Sequence, residues 1–337
     1  MSVTLKFLSE KANLSITTVS LILNGKDIRV SEEKKQHVLQ LAKQYNYIPN
    51  SLAVGLVTKK TKTIGLIIPD ISNIFFAEIA KNIEQEANMK GYSVILCNTN
   101  DKLSEEIKYA NLLYSKGVDA LVLCPAIETI GEFYHIDKFI DAQKGVIVFD
   151  RFFSGMHCSS VITDNLNGSI EAVNYLIDKG HKKIGCITGP LNSYSARLRI
   201  EGYKKALQDA NIELNEEVVV AGDYKFESGY LQGLKIMEKD VTAVFVCNDL
   251  MAYGFYHAAK KIGKKIPNDI SIIGFDDLLF SSMLDVPLTS VKQNINAISS
   301  NISILLDKML TGDLKIKNIV LPTMITERNS VKDMLEK

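Results

Sequence analysis

From residue 63 onward, short apolar runs rich in Val and Ile alternate with stretches whose apolar residues recur at helical spacing. The series reads TIGLIIPD, FAEIAKNIEQEANMKG, YSVILCNT, EEIKYANLLYSKG, DALVLCPA and GVIVFDR. It resumes with SSVITD, NGSIEAVNYLIDKG, KKIGCITGP, RLRIEGYKKALQDAN, EEVVVAGD, AVFVCND and ISIIGFDD. A strand apolar at every position is buried on both faces, as parallel strands are. Such strands separated by amphipathic helices predict parallel sheets with helices on both sides. Two halves of this kind in tandem predict an α/β core of two doubly wound lobes with a cleft between them. Ligands of open α/β sheets bind beyond the strands' carboxyl ends, and polar residues stand there: Asp70, Asp150-Arg151, Asn248-Asp249 and Asp276-Asp277. Asp150 and Asp276 can accept from ligand hydroxyls; taken singly, each reads equally well as a helix N-cap.

The first 62 residues have a different texture. They carry ten Lys/Arg against four Asp/Glu, leaving 29 basic against 35 acidic residues in the remainder of a chain with no net charge. A basic segment on an acidic body is the asymmetry expected when one part meets an anionic polymer. LKFLSEKA places Leu5, Leu8 and Ala12 on one helical face, and Asn13 makes a turn. Ser15 then caps a second helix, ITTVSLILN, closed by Asn24-Gly25. Val19, Ile22 and Leu23 pack inward, and Ile16, Thr17, Ser20 and Leu21 face outward. Ser31 caps a third helix with Glu32 and Glu33 at the positive end of its dipole. Val38, Leu41, Ala42 and Tyr45 of this helix cover the first two. Two helices joined by a tight turn and braced by a third make an all-α helix-turn-helix, whose second helix enters a major groove of double-stranded DNA.

Other classes are disfavoured. The N-terminal MSVTLKFLSE lacks the features of a signal peptide, and no apolar stretch reaches the ~20 residues that span a bilayer. The five cysteines, Cys97, Cys124, Cys158, Cys186 and Cys247, are far apart and form no CxxC pair. A reduced cytoplasm therefore suits the chain, with no disulfide framework and no metal site expected. GxSxG, a Walker loop, HExxH and a GxGxxG after a strand are all lacking, so neither catalysis nor a cofactor is expected. His181, in KGHKKIG, is expected to pack where a helix turns into a strand.

The segment LSITTVSLILNGKDIRVSEEKKQHVLQLAKQYNYIPNSLAVGL resembles the headpiece of the LacI family of repressors. TIGLIIPDISNIFFAEIAKNIE, YLIDKGHKKIGCITGP, ARLRIEGYKKAL, VCNDLMAYG, DISIIGFDD and PLTSVKQ are similar to that family's core signatures, which periplasmic sugar-binding proteins share. The resemblance runs in order along essentially the whole chain. VILCNT, YLIDKGHKKIGCITGPL and ARLRIEGY look most like the ribose-operon repressors. It implies a helix-turn-helix headpiece over 1–48, a hinge helix and linker over 49–62, and a two-lobed sugar-binding and dimerisation core over 63–337.

It also implies roles for particular positions. Ile16, Thr17 and Leu21 would read bases, while Ser15, Ser20, Asn24 and Ser31 would contact phosphates. The family often carries arginine where Leu21 stands, so a bidentate grip on guanine is lost there. NSLAVGLVT resembles the hinge, with Leu56 as a wedge in the minor groove; so short a helix is marginal unless DNA and a dimer mate support it. Phe7 stands in place of an acidic residue. For the cleft, the matching positions are Asn73, Phe75, Phe76, Asp150, Arg151, Arg199, Tyr224, Asn248, Asp276 and Gln293. Aromatic rings there would stack on a sugar while the polar groups pair with its hydroxyls. Arg197 is a candidate neighbour of this set. The expected function is a cytoplasmic homodimeric repressor whose grip on operator DNA changes with a small sugar effector, ribose as inducer being the best single choice. A global catabolite regulator controlled by a protein corepressor is the alternative.

Overall fold

The computed structural model describes residues 3–48, 60–129, 131, 133–153 and 155–335, and the chain divides into two units, Met1–Thr61 and Lys62–Lys337. Among the described residues of the first unit the helices are α1 (Leu5–Ala12), α2 (Ile16–Leu23) and α3 (Glu32–Gln44). Thr4 caps α1 by accepting from the Phe7 amide at 3.2 Å. Asn13 ends α1 in the left-handed conformation, φ 52°, which asparagine adopts more readily than most residues. Ser15 accepts from the Thr18 amide at 3.1 Å to start α2. Ser31 differs from expectation: it has cap dihedrals at the head of α3, but its exposed hydroxyl makes no capping bond. Glu32 and Glu33 in the first turn are left to complement the dipole there.

Leu8, Val19 and Val38 are fully buried at the centre of this unit, with Ile22 and Ala42 beside them and Leu23, Leu41 and Tyr45 half-buried around them. Phe7 has a place in this packing. Its ring meets Tyr45 edge to face at 5.0 Å and so joins α1 to α3. Leu56 and the rest of 49–59 lie outside the described residues.

The second unit holds two six-stranded sheets. The first contains β1 (Thr63–Ile68), β2 (Ser93–Asn98), β3 (Ala120–Leu123), β4 (Gly145–Phe149), β5 (Ser159–Thr163) and β11 (Asn318–Leu321), in the order β11-β5-β4-β3-β1-β2. The second contains β6 (Ile184–Thr188), β7 (Val219–Ala221), β8 (Ala243–Val246), β9 (Ser271–Asp276), β10 (Thr289–Lys292) and β12 (Met324–Thr326), in the order β12-β10-β9-β8-β6-β7. Neighbours run parallel except β10 and β12. Helices α4 (Ile74–Met89), α5 (Leu103–Ser115), α6 (Tyr134–Asp141) and α11 (Ile295–Leu310) flank the first sheet. The second is flanked by α7 (Asn165–Asp178), α8 (Tyr194–Asp209), α9 (Phe226–Met237) and α10 (Asp249–Lys261). Central strands β4 and β8 are buried at every position, as their unbroken apolar sequences require.

The two halves are not simply in tandem. The chain leaves the first lobe at 163–165, returns to it at 292–295 and leaves again at 321–324. The first and third crossings are joined by the Asp164 amide, which donates to the Leu321 carbonyl at 2.9 Å. All five cysteines are buried thiols. His181 is buried, its ring nitrogens 3.0 Å from Thr242 Oγ1 and 3.1 Å from the Lys332 carbonyl, and burial lowers its basicity. Among the described residues no helix is long and apolar enough to cross a membrane.

Candidate functional site

The outward face of α2 is built from the residues that the inward face leaves over. Ile16 and Leu21 remain 48% and 36% exposed beside exposed Thr17, a surface that hydrophobic burial alone does not explain. Asn24 folds back, its amide donating to the Ser20 carbonyl at 2.7 Å, so it must release that bond to contact anything else. Ser15 is likewise engaged, with Thr18 Oγ1 at 2.8 Å.

In the second unit, a cavity of about 320 Å³ lies where the carboxyl ends of both sheets meet. All ten positions expected at the cleft line it. Asn73 and Asn248 cap α4 and α10, accepting from Phe75 N at 3.1 Å and Met251 N at 3.0 Å. The caps place Phe75 and Phe76 in the first turn of α4, with ring centroids 5.2 Å apart. Asp150 and Arg151 follow β4, Asp276 ends β9, and Gln293 stands at the second crossing. Asp150, Tyr224 and Asp276 all have positive φ, at 62°, 68° and 118°. Residues held in such sparsely populated conformations cost about 1–3 kcal/mol each and cluster at functional sites. Gly189 makes the Tyr224 conformation possible: a Cβ there would sit 2.2 Å from the tyrosine ring.

The two arginines are buried, and their charges are matched. Arg151 forms two bonds to Asp101, at 2.6 and 3.2 Å, and donates to the Pro125 carbonyl at 3.0 Å. Its Nε has no hydrogen-bond partner among the described residues and lies 3.8 Å from Asp150. Arg199 donates Nε to Asn165 Oδ1 at 2.8 Å and NH1 to the Cys247 carbonyl, lies 3.7 Å from Asp276, and covers the Phe275 ring at 3.7 Å. Gln293 donates to Asp276 at 2.7 Å, while its own Oε1 is buried without a partner among the described residues. Burial raises the Asp150 carboxyl above its ordinary range, with both arginines pulling it back. Asp276 is raised further for the same reason, against the pull of Arg199. Burial pushes the Tyr224 phenol up to about 12, which keeps it a neutral donor. The cavity thus offers buried donors and acceptors in fixed positions, with six acidic side chains (Asp70, Asp101, Asp150, Asp223, Glu227, Asp276) against Arg151, Arg199 and Lys225.

Other strand-end residues do different work. Asp249 is buried away from the cavity, accepting from the Leu278 amide at 2.8 Å and Ser290 Oγ at 2.7 Å, and Asp277 pairs with Arg328 at 2.7 Å. Arg197 is exposed and outside the lining. Ser195, one turn of α8 before Arg199, lines the cavity in its place, 3.2 Å from the Tyr224 hydroxyl. Asp101 escaped the sequence reading, although the strand-end rule that picks out Asp150 also covers Asn100-Asp101 after β2.

Comparison with known proteins fits both units. Residues 4–50 match the family of bacterial regulatory proteins of the lacI type, and 173–331 match a periplasmic binding protein-like domain. Catabolite control protein A of Priestia megaterium is 36% identical over 337 residues, spanning 98% of this chain and all of the relative. The transcriptional repressor PurR of Histophilus somni is 34% identical over 98% of this chain and 99% of its own. The lac repressor dimer bound to operator has a TM-score of 0.87 at 27% identity, covering 98% of this chain and 100% of that one. A LacI family regulator from Enterococcus faecium with bound ribose has a TM-score of 0.73 at 27% identity, covering 81% and 99%. The ribose regulators are thus one set of neighbours among several. The chain is a member of the LacI family of bacterial transcription regulators.

Proposed function

We propose that this chain is a cytoplasmic homodimeric repressor that reads its operator through α2 and releases it when a neutral monosaccharide, ribose foremost, occupies the cavity between the lobes. The observation that carries the reading is the charge balance of that cavity. Six acidic side chains line it against Arg151, Arg199 and Lys225, so even with buried Asp150 and Asp276 protonated the site offers many hydrogen bonds and no surplus positive charge. A neutral polyol fits such a lining, with Phe75, Phe76 and Tyr224 as its apolar walls. On the DNA side, Ile16 and Leu21 suit apolar contact with thymine methyl groups rather than a bidentate grip on guanine. Ser15, Thr17, Ser20, Asn24 and Ser31 supply hydroxyl and amide groups for the remaining contacts.

Calorimetry with a panel of sugars, followed by titration of the same sugars into a labelled operator complex, tests the reading. Ribose or another neutral monosaccharide is expected to bind and to lower operator affinity about 5–150-fold. Tighter operator binding with sugar would reject induction. Leu56→Ala is expected to weaken operator binding far more than binding to unrelated duplex; equal loss on both would reject the minor-groove wedge. The 36% identity to catabolite control protein A over the whole chain supports a second reading, a global catabolite regulator, here proposed to answer to a protein corepressor. Operator binding that rises with a phosphorylated carrier protein and ignores sugars would select it.

A further inference from the structure

We propose that Asp101 is the charge selector of the cavity: by holding Arg151 in a two-bond clamp, it turns an arginine that would attract anions into the donor half of a neutral pair. The inference rests on the neutral-ligand reading above and adds the residue that enforces it. Of the five N–H groups on the Arg151 guanidinium, two donate to Asp101 and one to the Pro125 carbonyl. Nε–H and one further N–H are left, and they belong to a residue only 3% exposed. An unclamped buried guanidinium is a fitting partner for phosphate or carboxylate, since its planar fork matches their oxygens.

Asp101 is fixed for this task before any ligand arrives. It has a left-handed backbone, φ 62°, and its amide donates to the Pro69 carbonyl at 3.0 Å. Its Oδ1 also accepts from the Ile127 amide at 2.9 Å, which ties the loop after β2 to the loop after β3. Glu128 of that second loop accepts in turn from Leu103 N at 3.0 Å. Asp150 does not duplicate the role. It lies 3.8 Å from the guanidinium, beyond hydrogen-bond reach, where Asp101 makes two bonds. The Asp101–Arg151 contact is therefore the pair that sets the sign of this wall.

Asp101→Asn keeps the size of the side chain and an oxygen for the Ile127 amide but removes the charge. Full-length wild type and variant would be titrated calorimetrically with D-ribose, D-ribose 5-phosphate and inorganic phosphate, with circular dichroism to compare folding. The variant is expected to bind inorganic phosphate and the phosphate ester at least tenfold more tightly than wild type does, so that its preference for the neutral sugar shrinks by the same factor. Proportional loss of all three, or an unchanged ratio of neutral to anionic affinity, would overturn the role assigned to Asp101. A wild type that itself prefers the phosphate ester would overturn the neutral-ligand reading and the selector together. If ribose does not bind, the inorganic phosphate arm still decides the selector, because it needs no sugar.

Discussion

Arg199→Ala strikes the most heavily connected side chain of the cavity. The guanidinium is 3% exposed and satisfies two buried acceptors, Asn165 Oδ1 and the Cys247 carbonyl, while facing Asp276 at 3.7 Å. Each buried acceptor left without a donor costs about 1–3 kcal/mol, and removing one member of a buried ion pair costs about 3–5 kcal/mol. The contributions overlap, because Asp276 can escape part of the penalty by taking a proton, so the expected loss is about 3–5 kcal/mol. The pH dependence separates this account from simple loss of packing. Burial already raises the folded carboxyl of Asp276 above its ordinary 3.8, and Arg199 lowers it. A carboxyl raised on folding favours the folded state at low pH, and that advantage is lost as pH rises from the unfolded value through the folded one. Wild type and variant lose this advantage alike up to about pH 8, the wild-type folded value; without Arg199 the folded value climbs further, so the variant should go on losing stability above about pH 8, where wild type levels off. Urea unfolding followed by far-ultraviolet circular dichroism at about pH 6 and about pH 9.5 measures both effects; the chain has no tryptophan to serve as a probe. Adding Asp276→Asn should recover much of the extra loss at about pH 9.5. A penalty below about 1 kcal/mol, or one that is the same at both pH values, would refute the assignment.

Two further changes probe the elements that hold the sites. Ser15→Ala removes the acceptor for the Thr18 amide and should cost the headpiece about 1 kcal/mol, read as faster hydrogen exchange in α2, with weaker operator binding. Gly254→Ala would place a Cβ 2.0 Å from the Phe226 carbonyl where α9 and α10 approach backbone to backbone. Neither backbone can yield as a flexible side chain would, so a loss of more than about 2 kcal/mol is expected by urea unfolding.

The cavity was legible in the sequence wherever a residue's place followed from local rules. Asp150, Asn248 and Asp276 stand at strand ends, and Asn73 places two phenylalanines by capping a helix, so their convergence needed only the parallel sheets. Helical phase was less legible. Arg197 and Arg199 are two residues apart and point to different sides of α8, whereas Ser195 and Arg199, four apart, share the face that meets the cavity. Asp249 and Asp277 have the same local signature as Asp276 but are consumed by partners on β10, β12 and the 278–281 segment. No local pattern distinguishes the two outcomes. The interlaced topology was hidden for a related reason. Strand β11 is short and only partly buried, and its register is set by a partner about half the chain away, Asn318 against Ser160.

That interlacing gives the cavity its mechanical meaning. Arg199 bonds Asn165 at the first crossing, and Asp276 bonds Gln293 at the second. The third crossing is tied to the first through Asp164 and Leu321. The lobes can therefore turn on one another only by moving segments whose side chains line the cavity or bond directly to those that do. A ligand shifts an equilibrium only by binding its two states unequally, and here the same atoms would hold the ligand and the crossings. A ligand hydroxyl that donates to Asp276 joins the carboxyl group that already accepts from the Gln293 amide at 2.7 Å, and Gln293 Oε1, buried without a partner among the described residues, can accept from the same ligand. On the proposed reading, occupancy of the cavity acts directly on the groups that hold the second crossing. This is the physical requirement for a receptor whose answer is a change in the angle between its lobes.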